Sequence, residues 1–213
     1  MVILLVFGYT PYPDSNGYIL LAKQCIEAGE PYPVSTLINE YPFLWNIGSI
    51  NAVALSLKLF HSVTPLLVLY ALMKGATAWL VYLLTKRLID SKTAFIALVL
   101  YIIYPANYGE ATSTLSELPF MFFTMTGLCL CIVNKKYLLG GAAIAIANWF
   151  RPMGLIFLLS VILYLFFFRK RKGIVHSIAG FLIIIVLIGG LTYHRTGLFL
   201  YQAKTGWMAL MDY

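Results

Sequence analysis

The sequence predicts an all-α protein, a polytopic bundle of about seven transmembrane helices with an amphipathic surface helix in its first external loop. Hydrophobic residues make up 61% of the chain and charged residues 11%, and the mean hydropathy is +0.86. Apolar segments of helical length follow one another, and charges or prolines mark their ends. A chain so apolar has little polar surface for a water-soluble fold, so its expected solvent is a lipid bilayer.

The net charge of +7 is concentrated in short loops. Nine of the fifteen basic residues lie in three clusters, which are Lys86, Arg87 and Lys92, then Lys135 and Lys136, then residues 169–172. The clusters occupy every second loop, as cytoplasmic loops do under the positive-inside rule. The excess charge therefore indicates membrane orientation and not a nucleic-acid partner.

The chain begins with a short apolar stretch and a polar loop. Residues 1–9 as a helix would cover only about half of a ~30 Å hydrocarbon core, so they predict part of a first membrane helix. No basic leader or cleavage site of a signal peptide accompanies them. In the loop, SNGYILLAKQCIEAG (15–29) has apolar residues at helical spacing and ends in glycine, which predicts an amphipathic helix on the membrane surface.

The next apolar piece, residues 42–60, has two interpretations. Polar residues at positions 46, 51, 56 and 58 make it a poor lipid-facing helix. The favoured interpretation is a surface or half-inserted helix. The alternative is a helix that spans, which would put Asp14 on the opposite side of the membrane.

Six further segments are candidate membrane helices. They are residues 65–84, 93–108, 118–133, 137–150, 153–168 and 174–193. With the basic loops inside, the residues expected outside are Glu110, Glu117, Arg151, His194, Lys204 and Asp212. Asp90 is then the acidic residue expected on the cytoplasmic side.

Two carboxylates are the first candidates for catalysis. Asp14 follows the first apolar stretch in the turn-forming sequence PYPDSNGY, four residues before Tyr18. Glu117 follows a Ser-rich run and opens a helix expected near Leu118. Helix capping by Asp14 and a favourable helix-dipole contact for Glu117 are the structural alternatives. Glu110 has a simpler alternative as a solvated loop charge.

Two basic residues lie at membrane depth. Arg151 is fifteen positions from Lys136, about 22 Å along a helix that crosses a ~30 Å hydrocarbon core. Pro152 is expected to break the helix beside it. The guanidinium could extend to the surface or bind a lipid phosphate. Lys74 is twelve positions from Lys86, about 18 Å along its helix. Insertion of a charged side chain at that depth costs roughly 2.5–3.5 kcal/mol, so a carboxylate partner or a water-filled cavity is expected beside it.

Motifs for other chemistries are missing from the sequence. The three cysteines and three histidines show no metal-ligand spacing, so no metal site is predicted, and whether a divalent metal takes part stays open. No P-loop, glycine-rich nucleotide fingerprint, zincin motif or serine nucleophile elbow occurs. Any reaction is therefore expected to draw its substrates from the membrane, and no cofactor is assigned.

The order of these features resembles the GT-C superfamily of integral membrane glycosyltransferases, the class with protein O-mannosyltransferases and aminoarabinose transferases. The resemblance spans nearly the whole chain. It rests on Asp14 with Tyr18 and Ala22, then on YPFLWNIGSI, ATAWLVYLLTKRLI, YPANYGEATSTLSELPFMFF and NWFRPMGLIFLL. It implies transfer of a sugar from a polyprenyl-phosphate donor to an acceptor on the external face of a bacterial or archaeal plasma membrane.

The resemblance also implies roles for individual residues. Asp14 holds the place of the essential acid in the first external loop, and Glu117 that of a second acid at the start of a later helix. Arg151, with Lys74, would bind the donor phosphate. Tyr18 and Glu110 are candidate contacts to the acceptor or the sugar, and the tail TGLFLYQAKTGWMALMDY would begin a loop over the cavity.

The chain departs from the superfamily in length, because the superfamily normally has more membrane helices. Residues 1–213 are therefore expected to form one glycosyltransferase-like domain, truncated at both ends. Two other classes stay open. One is a transporter or flippase of a lipid-linked or small anionic substrate, and the other is a non-catalytic fragment.

Overall fold

The computed structural model describes residues 12–30, 45–104 and 106–202, with residues 106–108 described by their backbone alone. These residues contain no β-strand. Their helices are α1 (Pro13–Ala28), α2 (Ile47–Phe60), α3 (Thr64–Leu88), α4 (Ser91–Ile103), α5 (Ala106–Ala111), α6 (Glu117–Ile132), α7 (Tyr137–Phe150), α8 (Gly154–Phe167) and α9 (Arg171–Thr196). The predicted all-α class is thus confirmed for the described part of the chain. The apolar stretch at residues 1–9 lies outside it.

Most helices begin and end near the predicted positions, and α7 coincides with its predicted segment. The segment 93–108 is the exception, since the prediction of one continuous helix there is wrong. Helix α4 ends at Ile103, and Tyr104 is extended with ψ of 114°. Tyr104 precedes Pro105, whose ring disfavours helical geometry in the residue before it. The short α5 follows as a separate helix.

Two of the described helices, α3 and α9, are long and apolar enough to cross a membrane. Only 33% and 22% of their apolar stretches are buried within the protein, less than a core helix of a soluble protein would bury. The other apolar helices have 13 to 16 residues. Such helices extend about 20–24 Å, less than a ~30 Å hydrocarbon core. By length and composition, α3 and α9 therefore hint at membrane association.

Helix α7 is the central helix of the bundle and packs against α2, α6, α8 and α9. Small residues allow the close approach. A Cβ on Gly127 of α6 would lie 2.8 Å from the carbonyl oxygen of Gly140 in α7, and a Cβ on Gly141 would collide with the Ser177 backbone of α9. Glycines at these contacts let the helix backbones meet, as small residues do between membrane helices.

The helix directions divide the bundle into two ends. The charge of Glu117, at the start of α6, acts on Tyr70 in the first third of α3, and late in both helices the Cys129 thiol donates to the Leu80 carbonyl at 3.4 Å, so α3 and α6 run parallel. Short turns make α6 antiparallel to α7, and α8 antiparallel to α9. The three clusters of basic residues therefore share one end, the basic end. The starts of α3 and α6 and the last residues of α7 lie at the other, the site end.

Candidate functional site

The centre of the candidate site is a salt bridge between Glu117 and Arg151. Glu117 is the first residue of α6, where the helix dipole favours an acid. Arg151 directly follows α7 and is extended, since it precedes Pro152. The Arg151 Nη1 contacts the Glu117 Oε1, and the two side chains are 34% and 32% exposed. The predicted helix break at Pro152 is confirmed, and it brings Arg151 to a carboxylate.

Hydrogen bonds connect this ion pair to α1 and to the start of α2. The Ser116 hydroxyl donates to the Glu117 Oε2 at 3.3 Å. The Asn46 amide donates to the Ser116 hydroxyl at 3.3 Å and to the Tyr18 hydroxyl at 3.0 Å. Because Asn46 bridges the two hydroxyls, α1, α2 and α6 are held together around Glu117.

The floor of the site is aromatic. Tyr18 is buried and packs edge-on against Trp45, with ring centroids 5.1 Å apart. Burial raises the pKa of Tyr18, and hydrogen bonds to Ser116 and Asn46 act in the opposite direction. Tyr70, on α3, is 1% exposed, and its hydroxyl has no hydrogen-bond partner among the described residues. A buried phenol without a partner is a polar group that a ligand or a water could satisfy.

Glu110 and Lys74 add a second pair of opposite charges. Burial is the main cause of a raised pKa at Glu110, and the Glu117 carboxylate raises it further. Lys74 and Arg151 oppose that rise, so both cations lie within electrostatic reach of Glu110. Lys74 is only 8% exposed, on the long apolar helix α3. Two carboxylates and two cations therefore gather at the site end.

Lys74 also borders a cavity between α3 and α4. The space measures about 380 Å³ and its wall is mostly apolar. Besides Lys74 and Tyr101, its main lining residues are Ala78, Trp79, Leu98 and Ile102. One cation at the edge of an apolar cavity is an arrangement that suits an amphiphile with an anionic head.

Asp14 lies apart from this cluster. It is exposed in the first turn of α1 and forms no hydrogen bond or ion pair with the described residues. Helix α1 begins at Pro13 with Tyr12 in the N-cap position, so Asp14 is not the cap that the sequence suggested as an alternative. The start of α1 does adjoin the site, because the Thr114 hydroxyl donates to the Ser15 carbonyl at 3.2 Å. Asp14 is therefore at the rim.

Of the predicted site residues, the structure thus gathers Tyr18, Lys74, Glu110, Glu117 and Arg151, and leaves Asp14 outside the cluster. Sequence reasoning did not assign a role in the site to Asn46, Ser116 or Tyr70. The sequence does indicate a role for Asn46, since an amide in an apolar segment needs a hydrogen-bond partner. Ser116 is the N-cap residue of α6 but makes no side-chain cap hydrogen bond, and its hydroxyl donates to Glu117 instead. Nothing in the sequence distinguishes Tyr70, because tyrosine is common throughout this chain.

The segment after α9 folds back beside the site. The Leu200 N–H donates to the Thr192 hydroxyl at 3.1 Å, and the Tyr201 hydroxyl donates to the Ala145 carbonyl of α7 at 2.5 Å. The Gln202 amide donates to the Asn148 carbonyl, three residues before Arg151. The start of the tail therefore lies against the last turns of α7. Lys204, Asp212 and the rest of the predicted external loop lie outside the described residues.

Comparison with known proteins finds no match, since no family model matches this chain and neither a curated protein nor a solved structure is significantly similar to it.

Proposed function

We propose that this protein is a multi-pass integral membrane glycosyltransferase of the GT-C type. It would move a sugar from a polyprenyl-phosphate donor to an acceptor at the external face of a bacterial or archaeal plasma membrane. The observation that carries the proposal is the cluster of Glu110, Glu117, Lys74 and Arg151 at one end of an apolar bundle. Charges placed among apolar helices are costly, and they usually mark a site or a pathway.

The two cations suit the leaving group. A lipid phosphate departs as an anion, and nearby cations in a low-dielectric site stabilise that charge. Arg151 could exchange its contact with Glu117 for the donor phosphate, which would release the Glu117 carboxylate at the same moment. Lys74 is positioned beside the apolar cavity, which offers space for the first isoprene units of the lipid.

The carboxylates suit the acceptor. A general base accepts the proton of an acceptor hydroxyl as that oxygen attacks the anomeric carbon. Glu117 and Glu110 are in the cluster, and a carboxylate with a raised pKa such as Glu110 is a better base than an ordinary one. Asp14, exposed at the rim, would orient the acceptor as it arrives, and Tyr18 would contact the acceptor or the sugar.

Mass spectrometry of reconstituted protein tests this function. Wild-type protein is incubated with a panel of polyprenyl-phosphate sugars, beside Glu117→Gln, Arg151→Gln and Asp14→Asn. Glu27→Gln is the matched control, since Glu27 is exposed on α1 away from the cluster. We expect loss of sugar from one donor with wild type and control, and none with the first two variants. No turnover of any donor by folded protein would refute the proposal.

A second candidate function is transport of a lipid-linked or small anionic substrate, as in a flippase. Its supporting observation is Lys74, buried on a long apolar helix and lining a cavity. A fluorescent polyprenyl-phosphate sugar reconstituted in vesicles distinguishes the two. Movement between leaflets without loss of sugar would favour transport, whereas sugar loss without movement would favour the transferase.

A further inference from the structure

A second group of cations lies at the basic end, far from the candidate site. A hollow of about 420 Å³ opens there between the turn that joins α6 to α7 and the first turns of α9. Lys135 and Lys136 line it from the turn, and Lys172 and His176 line it from α9. Tyr137, Leu138 and Leu139 complete its lining.

The lysines of this hollow have no counter-ion among the described residues. Lys135, Lys136 and Lys172 form no ion pair with that part of the chain. The acidic residue that the described chain places at this end is Asp90, whose carboxylate is occupied. It accepts hydrogen bonds from the Lys92 and Thr93 backbone N–H groups at 2.8 and 2.9 Å, and from the Thr93 hydroxyl at 2.8 Å. An anion that balances the lysines must therefore come from outside the described chain.

Two helix starts increase the positive potential of the hollow. Lys136 is the N-cap of α7 and Lys170 that of α9, and neither helix has a side-chain cap. A cation at a helix N-terminus adds to the positive end of the helix dipole instead of neutralising it. These starts leave backbone N–H groups open to an acceptor. An arrangement that is unfavourable for the protein alone becomes favourable once an anion binds.

An apolar surface continues from the hollow, which distinguishes an amphiphile from a free anion. Leu138 and Leu139 are 41% and 54% exposed beside the lysines. Along α9, Val175, Leu182 and Val186 recur at helical spacing on one face, and more than half of each side chain is exposed. A phosphate in the hollow would therefore have exposed apolar surface beside it for acyl chains.

We propose that this basic hollow binds the phosphate headgroup of an anionic phospholipid, with its acyl chains along the exposed face of α9. Basic pockets between helices on the cytoplasmic side are suited to anionic headgroups. The proposal goes beyond the glycosyltransferase function, because the hollow is at the opposite end of the bundle from Glu117 and Arg151. It assigns to Lys135, Lys136 and Lys172 a binding role in addition to membrane orientation.

Native mass spectrometry of detergent-purified protein tests the proposal, because purified protein is compared whatever its orientation was in the membrane. The probes are phosphatidylglycerol and phosphatidylcholine. The hollow variant is Lys135→Gln/Lys136→Gln/Lys172→Gln, and its charge-matched control is Lys86→Gln/Arg87→Gln/Lys92→Gln, at the same end but outside the hollow. We expect the hollow variant to weaken phosphatidylglycerol binding on the order of tenfold or more, and the control to weaken it less than about twofold.

A third variant, Lys135→Arg/Lys136→Arg/Lys172→Arg, keeps the charges and should keep the binding, which separates loss of the site from loss of folding. Equal weakening in the hollow and control variants would reduce the effect to general electrostatics and overturn the proposal. So would equal binding of phosphatidylcholine, or no binding of phosphatidylglycerol by wild type. Displacement of the lipid by millimolar inorganic phosphate would identify the ligand of the hollow as free phosphate and overturn the proposal of a phospholipid.

Discussion

The contact between Glu117 and Arg151 is partly exposed to solvent. Salt bridges of this kind contribute only about 0–1 kcal/mol to stability, because solvent screening and side-chain ordering offset the attraction. Stability alone is thus a weak reason for two opposite charges between apolar helices. The proposed function supplies another reason, because there the pair exchanges partners with a ligand.

The first prediction separates activity from stability at this pair. Glu117→Gln and Arg151→Gln should each abolish sugar transfer, yet each should lower the free energy of unfolding by no more than about 1 kcal/mol. Donor turnover and thermal melting of the same preparations measure the two effects. A variant that unfolds in proportion to its loss of activity would instead make the pair structural.

Glu110 makes the stability of the folded protein depend on pH. Its raised pKa means that the folded protein binds this proton more tightly than the unfolded chain does. The stability contributed by this proton is complete below the ordinary carboxyl pKa of 4.5 and is lost as the pH rises through the folded pKa. Glu110→Gln removes the dependence, since its amide does not titrate.

The second prediction follows from the direction of this pKa shift. Melting temperatures of wild type and Glu110→Gln should be close near pH 4.5 and diverge as the pH rises, with the variant the more stable. Glu27→Gln, on the exposed face of α1, should show no such divergence. A constant difference across the pH range would show that burial of Glu110 does not perturb its titration.

Among the helices, the contact between α7 and α9 depends on glycine. Gly141 faces the Ser177 backbone so closely that even one methyl group collides with it. Ser177 belongs to the helix that carries Lys172 and His176, and Gly141 to the helix that ends beside Arg151. This contact therefore helps to position residues at both ends of the bundle.

The third prediction tests that contact. Gly141→Ala should destabilise the protein by about 1–3 kcal/mol, because the two helices must separate to admit the methyl group. Gly75→Ala is the matched control, since nothing lies within 4 Å of its added Cβ on α3. That change should be neutral or stabilising by up to about 1 kcal/mol. Thermal melting of both variants measures the difference, and equal melting would contradict the packing.

Helix α4 supplies the fourth prediction, at its N-cap. Asp90→Ala should destabilise the start of α4, whereas Asp90→Asn should retain most of the cap because its amide oxygen also accepts. Hydrogen bonds from Thr93 are the main cause of the lowered pKa of Asp90. The wild-type advantage over Asp90→Asn should thus be present above the ordinary carboxyl pKa and be lost as the pH falls through the folded pKa. Hydrogen exchange of residues 91–95 across pH measures it. Equal protection in all three proteins would contradict the cap.

The whole molecule has a strong asymmetry between its ends. The three basic clusters share the basic end, and the paired charges lie at the site end. If the bundle crosses a membrane as the positive-inside rule implies, the basic end is cytoplasmic and the site end is external.

The fifth prediction tests this orientation. The three native cysteines, which are buried, are first replaced by alanine or serine. Single cysteines are then introduced by Met153→Cys, at the site end before α8, and by Arg169→Cys, at the basic end after it. An impermeant maleimide should label Met153→Cys in intact cells and Arg169→Cys only after permeabilisation. Labelling of both in intact cells would contradict a crossing by α8, and the reverse pattern would invert the orientation.

The sequence predicted the helices well, because apolar runs, basic ends and prolines act locally. Segment 137–150 matches α7 residue for residue, and the break at Pro152 is where the proline predicts it. The wrong prediction at 93–108 also has a local cause, since Pro105 disfavours helical geometry at Tyr104. The order of residues along the chain also placed Glu117, Glu110 and Arg151 between the apolar segments.

By itself, then, the sequence determined the helical class, most of the helix ends and the residues that carry charge, because backbone sterics and hydropathy depend on neighbours along the chain. Only the tertiary structure decided which charges meet. Glu117 pairs with Arg151 across 34 residues, and Asn46 reaches Ser116 across 70, whereas Asp14, the first candidate from sequence, stays exposed at the rim. Such contacts follow from the way α6 and α7 pack and from the place where α1 and α2 lie on them. No local pattern encodes a distance between helices, so packing alone could assemble the site.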